Sequence, residues 1–269
     1  MRDGLINKDN AMADMAFSQN YRSEDHTPPA FPSLIFYGKM INIIWNAGKV
    51  ASKGVYDGDR WVDDSILVAR AIERVGAKLC IEGIENLDFE GPCVFESNHM
   101  STLETMLLPG VIQPRKDVTF VVKDTLLRYP GLGPVLKARS PIALGRTNVR
   151  EDLTLVLRRG PEILASGRSL IIFTQGTRRP VVKAEDFNTL AVKLAAKAGV
   201  PVVPIALKTD AWGIGGIIKE AGRIRPRFPV HVRIGAPVDV SGNAREAHAQ
   251  IVRFITENCD AWTKTDGRP

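Results

Sequence analysis

Short apolar runs alternate with longer amphipathic segments along most of this chain, and this alternation constrains its fold more than any other feature. Runs with the length of buried strands occur at residues 78–81, 92–96, 118–122, 141–144, 170–173, 200–207 and 230–234. Stretches with a helical pattern separate most of them, which favours a largely parallel α/β sheet with helices on both faces. Because such sheets bind ligands at strand ends, the loops that follow these runs are candidate functional regions.

The alternation also favours one main domain. With 269 residues and 44% hydrophobic residues, the chain can bury one large α/β core or two small ones. The sequence contains no internal repeat. We therefore predict a single domain at residues 77–269, preceded by a shorter segment at residues 33–76 and an N-terminal arm at residues 1–32.

The N-terminal arm is predicted to be flexible. Residues 1–32 are polar and carry Pro28, Pro29 and Pro32 near their end, which is typical of a loosely held segment. They lack the basic start and the apolar core of a signal peptide. The arm is therefore not interpreted as a secretion signal.

Residues 33–50 have the pattern of an amphipathic helix. Lys39, Asn42, Asn46 and Lys49 fall on one stripe of this helix, and apolar side chains cover most of the remaining surface. The apolar stretch is too short and too interrupted to span a bilayer comfortably. Such a helix can lie in the membrane interface or pack on the protein's own core, and the two alternatives differ little in sequence. We expect residues 33–76 to dock on a membrane, as in a peripheral or monotopic protein.

The charge balance indicates an anionic partner. The chain has 36 basic and 30 acidic residues, which gives a net charge of +6. Anionic lipids and nucleic acid both attract such a charge, but the sequence has neither zinc-finger spacing nor a dense basic helix. We therefore expect a phospholipid membrane surface as a partner and no nucleic acid. The three cysteines lack metal-site spacing, which favours a reducing cytoplasmic compartment and predicts no metal site.

The stretch from Ser97 to Glu104 contains the clearest candidate for chemistry. It follows an apolar strand-like run and leads into a helix, so His99 falls in the connecting turn. On a continuous helix, side chains five residues apart would point about 140° away from each other. With His99 in the turn and Glu104 in the first helical turn, the carboxylate can instead bind one ring nitrogen while the other faces a substrate. Such a pair can act as a general base.

Glu104 also fits a second role. Ser101 to Glu104 has the S-x-x-E form of a capping box, in which the carboxylate accepts a hydrogen bond from the backbone N–H of Ser101. A histidine in a loop is, moreover, often only solvated. This segment alone leaves capping and catalysis equally open.

A second candidate loop follows the apolar run at residues 170–172. Gly176 permits close approach of the backbone, Thr177 offers a hydroxyl, and Arg178 presents a planar fork suited to bidentate contact with phosphate. A basic turn on the surface would have the same composition. Two strand-end loops that carry a base and a phosphate-binding group favour the functional interpretation of both.

From about residue 80 to 210 the chain resembles the glycerolipid acyltransferases, in particular the 1-acyl-glycerol-3-phosphate acyltransferase family. Four blocks of that family occur here in order. The first is a histidine, four residues and an acid, and the second ends in a substrate-binding arginine, here Arg146. The third usually reads Phe-Pro-Glu-Gly-Thr-Arg, and the fourth is an apolar strand with proline. They correspond here to residues 98–104, 142–146, 173–178 and 200–206.

The resemblance implies a mixed, largely parallel sheet of about seven strands sandwiched by helices. It also implies acyl transfer from acyl-CoA or acyl-ACP to the free hydroxyl of a lysophospholipid acceptor, 1-acyl-glycerol-3-phosphate, in phospholipid biosynthesis. No cofactor and no covalent intermediate are expected, and the protein would act at the cytoplasmic face of the cell membrane. The implied catalytic pair is His99 and Glu104, and the implied substrate-binding residues are Arg146, Gln175, Gly176, Thr177 and Arg178.

Lys123 is a further candidate at the mouth of the cleft. It follows the strand-like run at residues 118–122 and could add positive charge for an anionic substrate. A solvated lysine is an equally good interpretation of this position. We therefore include Lys123 among the expected substrate-binding residues and leave both interpretations open.

Differences from the family pattern leave the identity of the acyl acceptor open. Glu104 replaces the usual aspartate, Gln175 replaces a glutamate and so removes a negative charge beside the expected phosphate site, and Thr174 replaces proline. The alternatives are an acyltransferase for glycerol-3-phosphate or another lysolipid, and an inactive membrane-binding homologue. Other catalytic signatures, such as a G-x-S-x-G elbow or a Walker loop, are missing from the sequence.

Overall fold

The computed structural model describes Phe17, residues 19–216 and residues 219–266. Its strands are β1 (Tyr21–Arg22), β2 (Leu79–Glu82), β3 (Val94–Ser97), β4 (Val118–Lys123), β5 (Ile142–Leu144), β6 (Ser169–Phe173), β7 (Val202–Lys208) and β8 (Val230–Ile234). Its helices are α1 (Pro32–Ser52), α2 (Gly58–Arg74), α3 (Leu103–Ile112), α4 (Leu132–Ala138), α5 (Val149–Ala165), α6 (Leu190–Ala198) and α7 (Ala244–Thr265). Single 3₁₀ turns lie at Ile84–Leu87, Asp124–Arg128 and Ala184–Asp186.

The strands form one sheet in the order β1-β2-β8-β7-β3-β6-β4-β5. All neighbours from β7 to β5 are parallel, as are β2 and β8, whereas β1 with β2 and β7 with β8 are antiparallel. The predicted mixed, largely parallel sheet between helices is thus confirmed, with eight strands instead of about seven. The strand that was not predicted is β1, which lies within the segment expected to be a flexible arm.

Helices cover both faces of the sheet, which explains why its central strands β3, β6 and β7 are buried along almost their whole length. On one face, α1 to α4 pack over a core that includes Phe95 and Ile171. On the other face, α5 to α7 pack over Val94, Leu170 and Ile172. Successive side chains of β3 and β6 therefore enter two different cores, as expected for parallel strands buried on both sides.

Helix α1 packs one face on the protein's own core and exposes another, and its docking on a membrane stays a prediction. Phe36 and Met40 are buried in the core, so one face of the helix packs on the protein itself. Leu34, Ile41 and Trp45 on another face are 75%, 68% and 55% exposed. No helix among residues 19–216 and 219–266 is long and apolar enough to cross a membrane.

The predicted N-terminal arm is described only in part. Residues 1–16 and Ser18 lie outside the described residues. Tyr21 and Arg22 pair with Ile81 and Cys80 and so form the edge of the sheet. The described part of the arm is therefore tied to the domain that follows it.

The parallel strands place the candidate loops at one edge of the sheet. Because β3, β4, β5, β6 and β7 run in the same direction, their carboxyl ends meet there. The loops that begin at these ends carry the residues predicted for the site. This is the edge at which open α/β sheets bind their ligands.

Candidate active site

His99 and Glu104 are in direct contact, one of the two arrangements that their sequence left open. Nδ1 of His99 lies 2.8 Å from Oε1 of Glu104, and the carboxylate is fully buried. His99 lies in the turn between β3 and α3, whereas Glu104 is in the first turn of the helix. Because α3 begins only at Leu103, His99 lies outside the helix, and the two side chains that a continuous helix would separate can meet.

The Glu104 carboxylate also accepts hydrogen bonds from the start of α3. Its Oε1 accepts from the backbone N–H groups of Met100, at 2.6 Å, and Ser101, at 2.9 Å. Its Oε2 accepts from the hydroxyls of Ser101, at 2.9 Å, and Thr209, at 2.5 Å. The capping contact and the contact with His99 therefore coexist in one side chain.

These donors keep the carboxylate ionised. Burial alone would raise the pKa of Glu104, because a buried charge loses its hydration. The hydrogen bond and charge of His99, with the bonds from Thr209 and Ser101, outweigh that effect and lower the pKa overall. The carboxylate is thus available to fix the tautomer of His99 and to stabilise an imidazolium.

The last residue of β6 and the loop that follows it also contact His99. The ring of Phe173 stacks on the imidazole, with centroids 4.3 Å apart. Oε1 of Gln175 accepts a hydrogen bond from the backbone N–H of His99 at 2.7 Å, and the N–H of Arg179 donates to the carbonyl of His99 at 2.8 Å. Phe173 therefore contacts the ring of His99, and the loop after β6 fixes its backbone.

A cavity of about 740 Å³ opens beside His99. Its polar lining residues include His99, Lys123, Arg146, Thr177, Arg178 and Glu220. Its apolar part lies among α1, α2, α3, α4 and β4 and is lined by side chains that include Ile43, Ile44, Trp61, Val68, Met106, Phe120, Leu132 and Val135. The cavity thus combines His99 and several charged side chains with a large apolar lining.

Arg146 is held at the cavity by its own backbone and by the loop after β6. It follows β5 and has a positive φ of 55°, which is rare for a residue other than glycine and occurs often at functional sites. Its backbone N–H donates to Asp152 at 3.0 Å, and its guanidinium donates to the carbonyl of Gly176. Burial lowers the pKa of Arg146, Asp152 opposes this effect, and the nearby charge of Arg178 adds to it.

Arg178 reaches three acceptors. One of its terminal nitrogens, Nη1, donates to Thr102 Oγ1 at 3.1 Å and to the carbonyl of Lys219 at 3.2 Å. The other, Nη2, forms an ion pair with Glu220 at 2.7 Å. Arg178, the predicted phosphate-binding arginine, is therefore already paired with the carboxylate of Glu220, in the loop between β7 and β8.

The predicted residues divide into those that line the cavity and those behind its wall. His99, Lys123, Arg146, Thr177 and Arg178 line it. Glu104 and Gln175 are buried behind it and bind the ring and the backbone of His99. Gly176 has a positive φ of 70°, which favours glycine at this position, and its carbonyl binds Arg146. The functional roles of all eight residues remain predictions.

This arrangement suits the removal of a proton from a hydroxyl of an anionic substrate. An imidazole with one nitrogen on a buried carboxylate can accept a proton at the other, and two guanidiniums nearby can bind an anion. Among the described residues, no group of three or more His, Cys, Asp and Glu side chains could hold a metal ion. We assign no metal site.

Comparison with known proteins identifies the family. A family model described as Acyltransferase matches residues 78–208. The 1-acyl-sn-glycerol-3-phosphate acyltransferase of Pseudomonas aeruginosa is 32% identical over 203 residues, which are 75% of this chain and 73% of that protein. The chain belongs to this acyltransferase family.

Other relatives of this acyltransferase carry related names. The chloroplastic 1-acyl-sn-glycerol-3-phosphate acyltransferase LPAT1 of Arabidopsis thaliana is 33% identical over 66% of this chain and 49% of its own length. A lyso-ornithine lipid O-acyltransferase of Pseudomonas aeruginosa is 27% identical over 65% of this chain and 71% of its own length. The crystal structure of the 1-acyl-sn-glycerophosphate acyltransferase PlsC from Thermotoga maritima shares the fold, with a TM-score of 0.63 and 23% identity over 86% of this chain and 94% of that one.

The candidate site contains residues that the sequence did not reveal. Thr209 binds Glu104, and Glu220 binds Arg178. The side-chain amide of Asn98 exchanges two hydrogen bonds with the backbone of Leu207, at 2.8 and 2.9 Å, and so joins the ends of β3 and β7. Thr209 and Asn98 follow strands directly, so their positions were a usable signal, whereas nothing in the sequence marks Glu220.

Proposed function

We propose that this acyltransferase moves a fatty acyl group from acyl-CoA or acyl-ACP to the free hydroxyl of 1-acyl-glycerol-3-phosphate, a step of phospholipid biosynthesis. The observation that carries the proposal is the 2.8 Å contact between His99 Nδ1 and Glu104 Oε1, beside a cavity that Arg146 and Arg178 also line. The names of the Pseudomonas and Arabidopsis relatives support the choice of acceptor. No cofactor is required.

In the proposed reaction, His99 is the general base. With Nδ1 on Glu104, its Nε2 accepts the proton of the acceptor hydroxyl as the oxygen attacks the thioester carbonyl. The tetrahedral intermediate then collapses, the carbon–sulfur bond breaks, and the leaving thiolate takes the proton from the imidazolium. The products are an ester and a free thiol, and no acyl-enzyme forms.

The cavity would position both reactants. Arg146 and Arg178 bind the acceptor phosphate, Lys123 in the lining of the same cavity adds positive charge, and Thr177 adds a hydroxyl. The apolar part of the cavity has room for an acyl chain. Binding both reactants beside His99 can lower the barrier substantially, by roughly 7–11 kcal/mol in the best oriented systems.

We further propose that the protein works as a peripheral or monotopic enzyme on the cytoplasmic face of the cell membrane. Its acceptor is a membrane lipid, and the exposed apolar side chains of α1 offer a surface for the lipid interface. Lys39 and Lys49 on the same helix are exposed, as a helix bound to anionic lipids requires.

An acceptor panel tests the proposed activity. The purified protein in detergent is given a radiolabelled acyl thioester with lysophosphatidic acid, glycerol-3-phosphate, lyso-ornithine lipid or monoacylglycerol. We expect lysophosphatidic acid to be acylated most efficiently, and we expect His99→Ala to lower kcat by about 10²- to 10⁴-fold. His26→Ala, which changes an exposed histidine outside the cavity, is the matched control. A folded protein that acylates none of these acceptors would refute the proposal.

A further inference from the structure

The loop between β7 and β8 places a carboxylate on the arginine that the proposed function assigns to phosphate. Glu220 Oε1 lies 2.7 Å from Arg178 Nη2, and both side chains line the cavity beside His99. Their exposed fractions are 28% and 19%, so the pair is partly withdrawn from water. An acceptor phosphate that binds Arg178 through this nitrogen must displace Glu220.

The position of Glu220 is set by the packing of its loop. Trp212 Nε1 donates to the backbone carbonyl of Glu220 at 3.0 Å. The Trp212 ring packs edge-on against Phe36 of α1, with centroids 4.9 Å apart. The hydroxyl of Tyr37, also in α1, donates to the carbonyl of Gly222 at 2.5 Å. These contacts fix the loop against α1, which is itself packed in the core. They thereby place Glu220 at the cavity.

The Glu220 carboxylate offsets the positive charge of the arginines that line the cavity. Arg178 lies near enough to Arg146 for its charge to lower the pKa of Arg146. Two like charges beside a half-buried cavity repel each other, and a counter-ion relieves that repulsion when no substrate is bound. Glu220 is the carboxylate that pairs with Arg178.

We propose that Glu220 is a specificity-determining residue that competes with the phosphate of both acceptor and product for Arg178. This inference rests on the proposed function, because it requires Arg178 to bind that phosphate. An intramolecular competitor lowers the affinity of every ligand that binds through Arg178 by the same factor. Acceptor and product carry the same phosphate group, so Glu220 also favours release of the product after acyl transfer. A ligand without a charged head group does not need Arg178 and is unaffected.

Glu220→Gln tests this proposal, because it removes the charge and leaves the backbone carbonyl that binds Trp212 in place. We expect the KM for lysophosphatidic acid and the inhibition constants of phosphatidic acid and glycerol-3-phosphate to fall together, by about two- to fivefold, the range of a partly exposed ion pair. The KM for monoacylglycerol and for the acyl donor should stay the same. Glu257→Gln, an exposed position on α7, controls for the change in net charge.

A double-mutant cycle links the effect to Arg178. In an Arg178→Gln background, Glu220→Gln should no longer change the KM for lysophosphatidic acid. An unchanged or higher KM in the single Glu220→Gln variant would overturn the proposed competition. If Arg178→Gln by itself leaves the acceptor KM unchanged, the proposed phosphate site fails instead, so the two failures can be told apart.

Discussion

Nδ1 of His99 and Oε1 of Glu104 lie 2.8 Å apart, and the other oxygen of the same carboxylate binds Thr209 at the end of β7. Glu104 therefore connects the histidine to a strand that is distant in sequence. The loop after β3 cannot move relative to β7 without breaking these bonds. The geometry of the proposed base thus depends on the sheet as well as on the local turn.

Glu104→Gln tests whether the carboxylate does more than cap α3. The amide retains an oxygen for His99 and Met100, and the hydroxyls of Ser101 and Thr209 can rotate to accept from its NH₂ group. The negative charge that would stabilise an imidazolium is lost. We expect kcat to fall about 10²-fold or more, and the free energy of unfolding to fall by about 1–3 kcal/mol because some buried donors lose a charged partner.

Steady-state kinetics and urea unfolding of the same Glu104→Gln preparation provide these two quantities. Near-normal turnover together with reduced stability would show that Glu104 serves only the helix start. A matched Glu257→Gln variant on α7, where the side chain is exposed, should change neither quantity.

Thr209→Val tests the connection between Glu104 and β7. Valine keeps the shape of threonine but replaces the hydroxyl that donates to Glu104 at 2.5 Å. We expect kcat to fall several-fold with unchanged KM values and stability to fall by about 1 kcal/mol, the usual value of one buried hydrogen bond. Thr209→Ser restores the hydroxyl and should restore kcat. If the serine and valine variants have equal kcat, Thr209 does not position the base.

Much of the sheet could be predicted because its central strands are largely apolar on both faces and β8 alternates between apolar and polar residues. The run at residues 230–234 coincides with β8, and the run at 118–122 with most of β4. β1 could not be found this way, since it is two residues long and lies at the edge of the sheet, where a strand needs no apolar pattern.

In the candidate site, contacts within one turn could be predicted from the sequence, whereas contacts between distant residues could not. The turn between β3 and α3 is local, so a contact between His99 and Glu104 could be recognised as feasible from the sequence, although the capping role was equally open. The contacts of Thr209 and Glu220 join residues 105 and 42 positions apart and depend on how β7 and its loop lie in the fold. Gln175 could be recognised as a change from glutamate, but its bond to the backbone of His99 depends on the path of the loop after β6.

Glu96, on β3 three residues before His99, predicts a dependence of stability on pH. It is fully buried, accepts a hydrogen bond from Thr174 at 2.9 Å and lies 4.0 Å from His248 Nδ1. Burial raises its pKa to about 8, so the folded protein keeps this carboxyl protonated at pH values where the unfolded chain has lost the proton. Stability must therefore fall as the pH rises towards 8.

Glu96→Gln should remove that dependence, since an amide keeps the bond to Thr174 and does not ionise. Burial lowers the pKa of His248, so above pH 6.5 that side chain is mostly neutral in both states and contributes little. Between pH 6.5 and 8 we expect the free energy of unfolding of the wild type to fall by about 2 kcal/mol relative to that of Glu96→Gln. A difference of one bound proton between the folded and unfolded states changes this free energy by about 1.4 kcal/mol per pH unit. Urea unfolding of both proteins across this range measures the difference, and parallel curves would contradict the assignment.

The exposed apolar face of α1 can be tested without disturbing the core. Deleting the helix would remove the buried Phe36 and Met40, so we choose Leu34→Ser, Ile41→Ser and Trp45→Ser combined, all at exposed positions. Loss of this apolar surface should lower the affinity for phosphatidylglycerol liposomes, measured by sedimentation, at least tenfold. A tenfold loss corresponds to about 1.4 kcal/mol, which is less than the full burial of one large side chain provides. Asn42→Ser with Asn46→Ser changes the polar stripe of the same helix and should leave binding unchanged. Undiminished binding of the triple variant would place the principal membrane contact elsewhere.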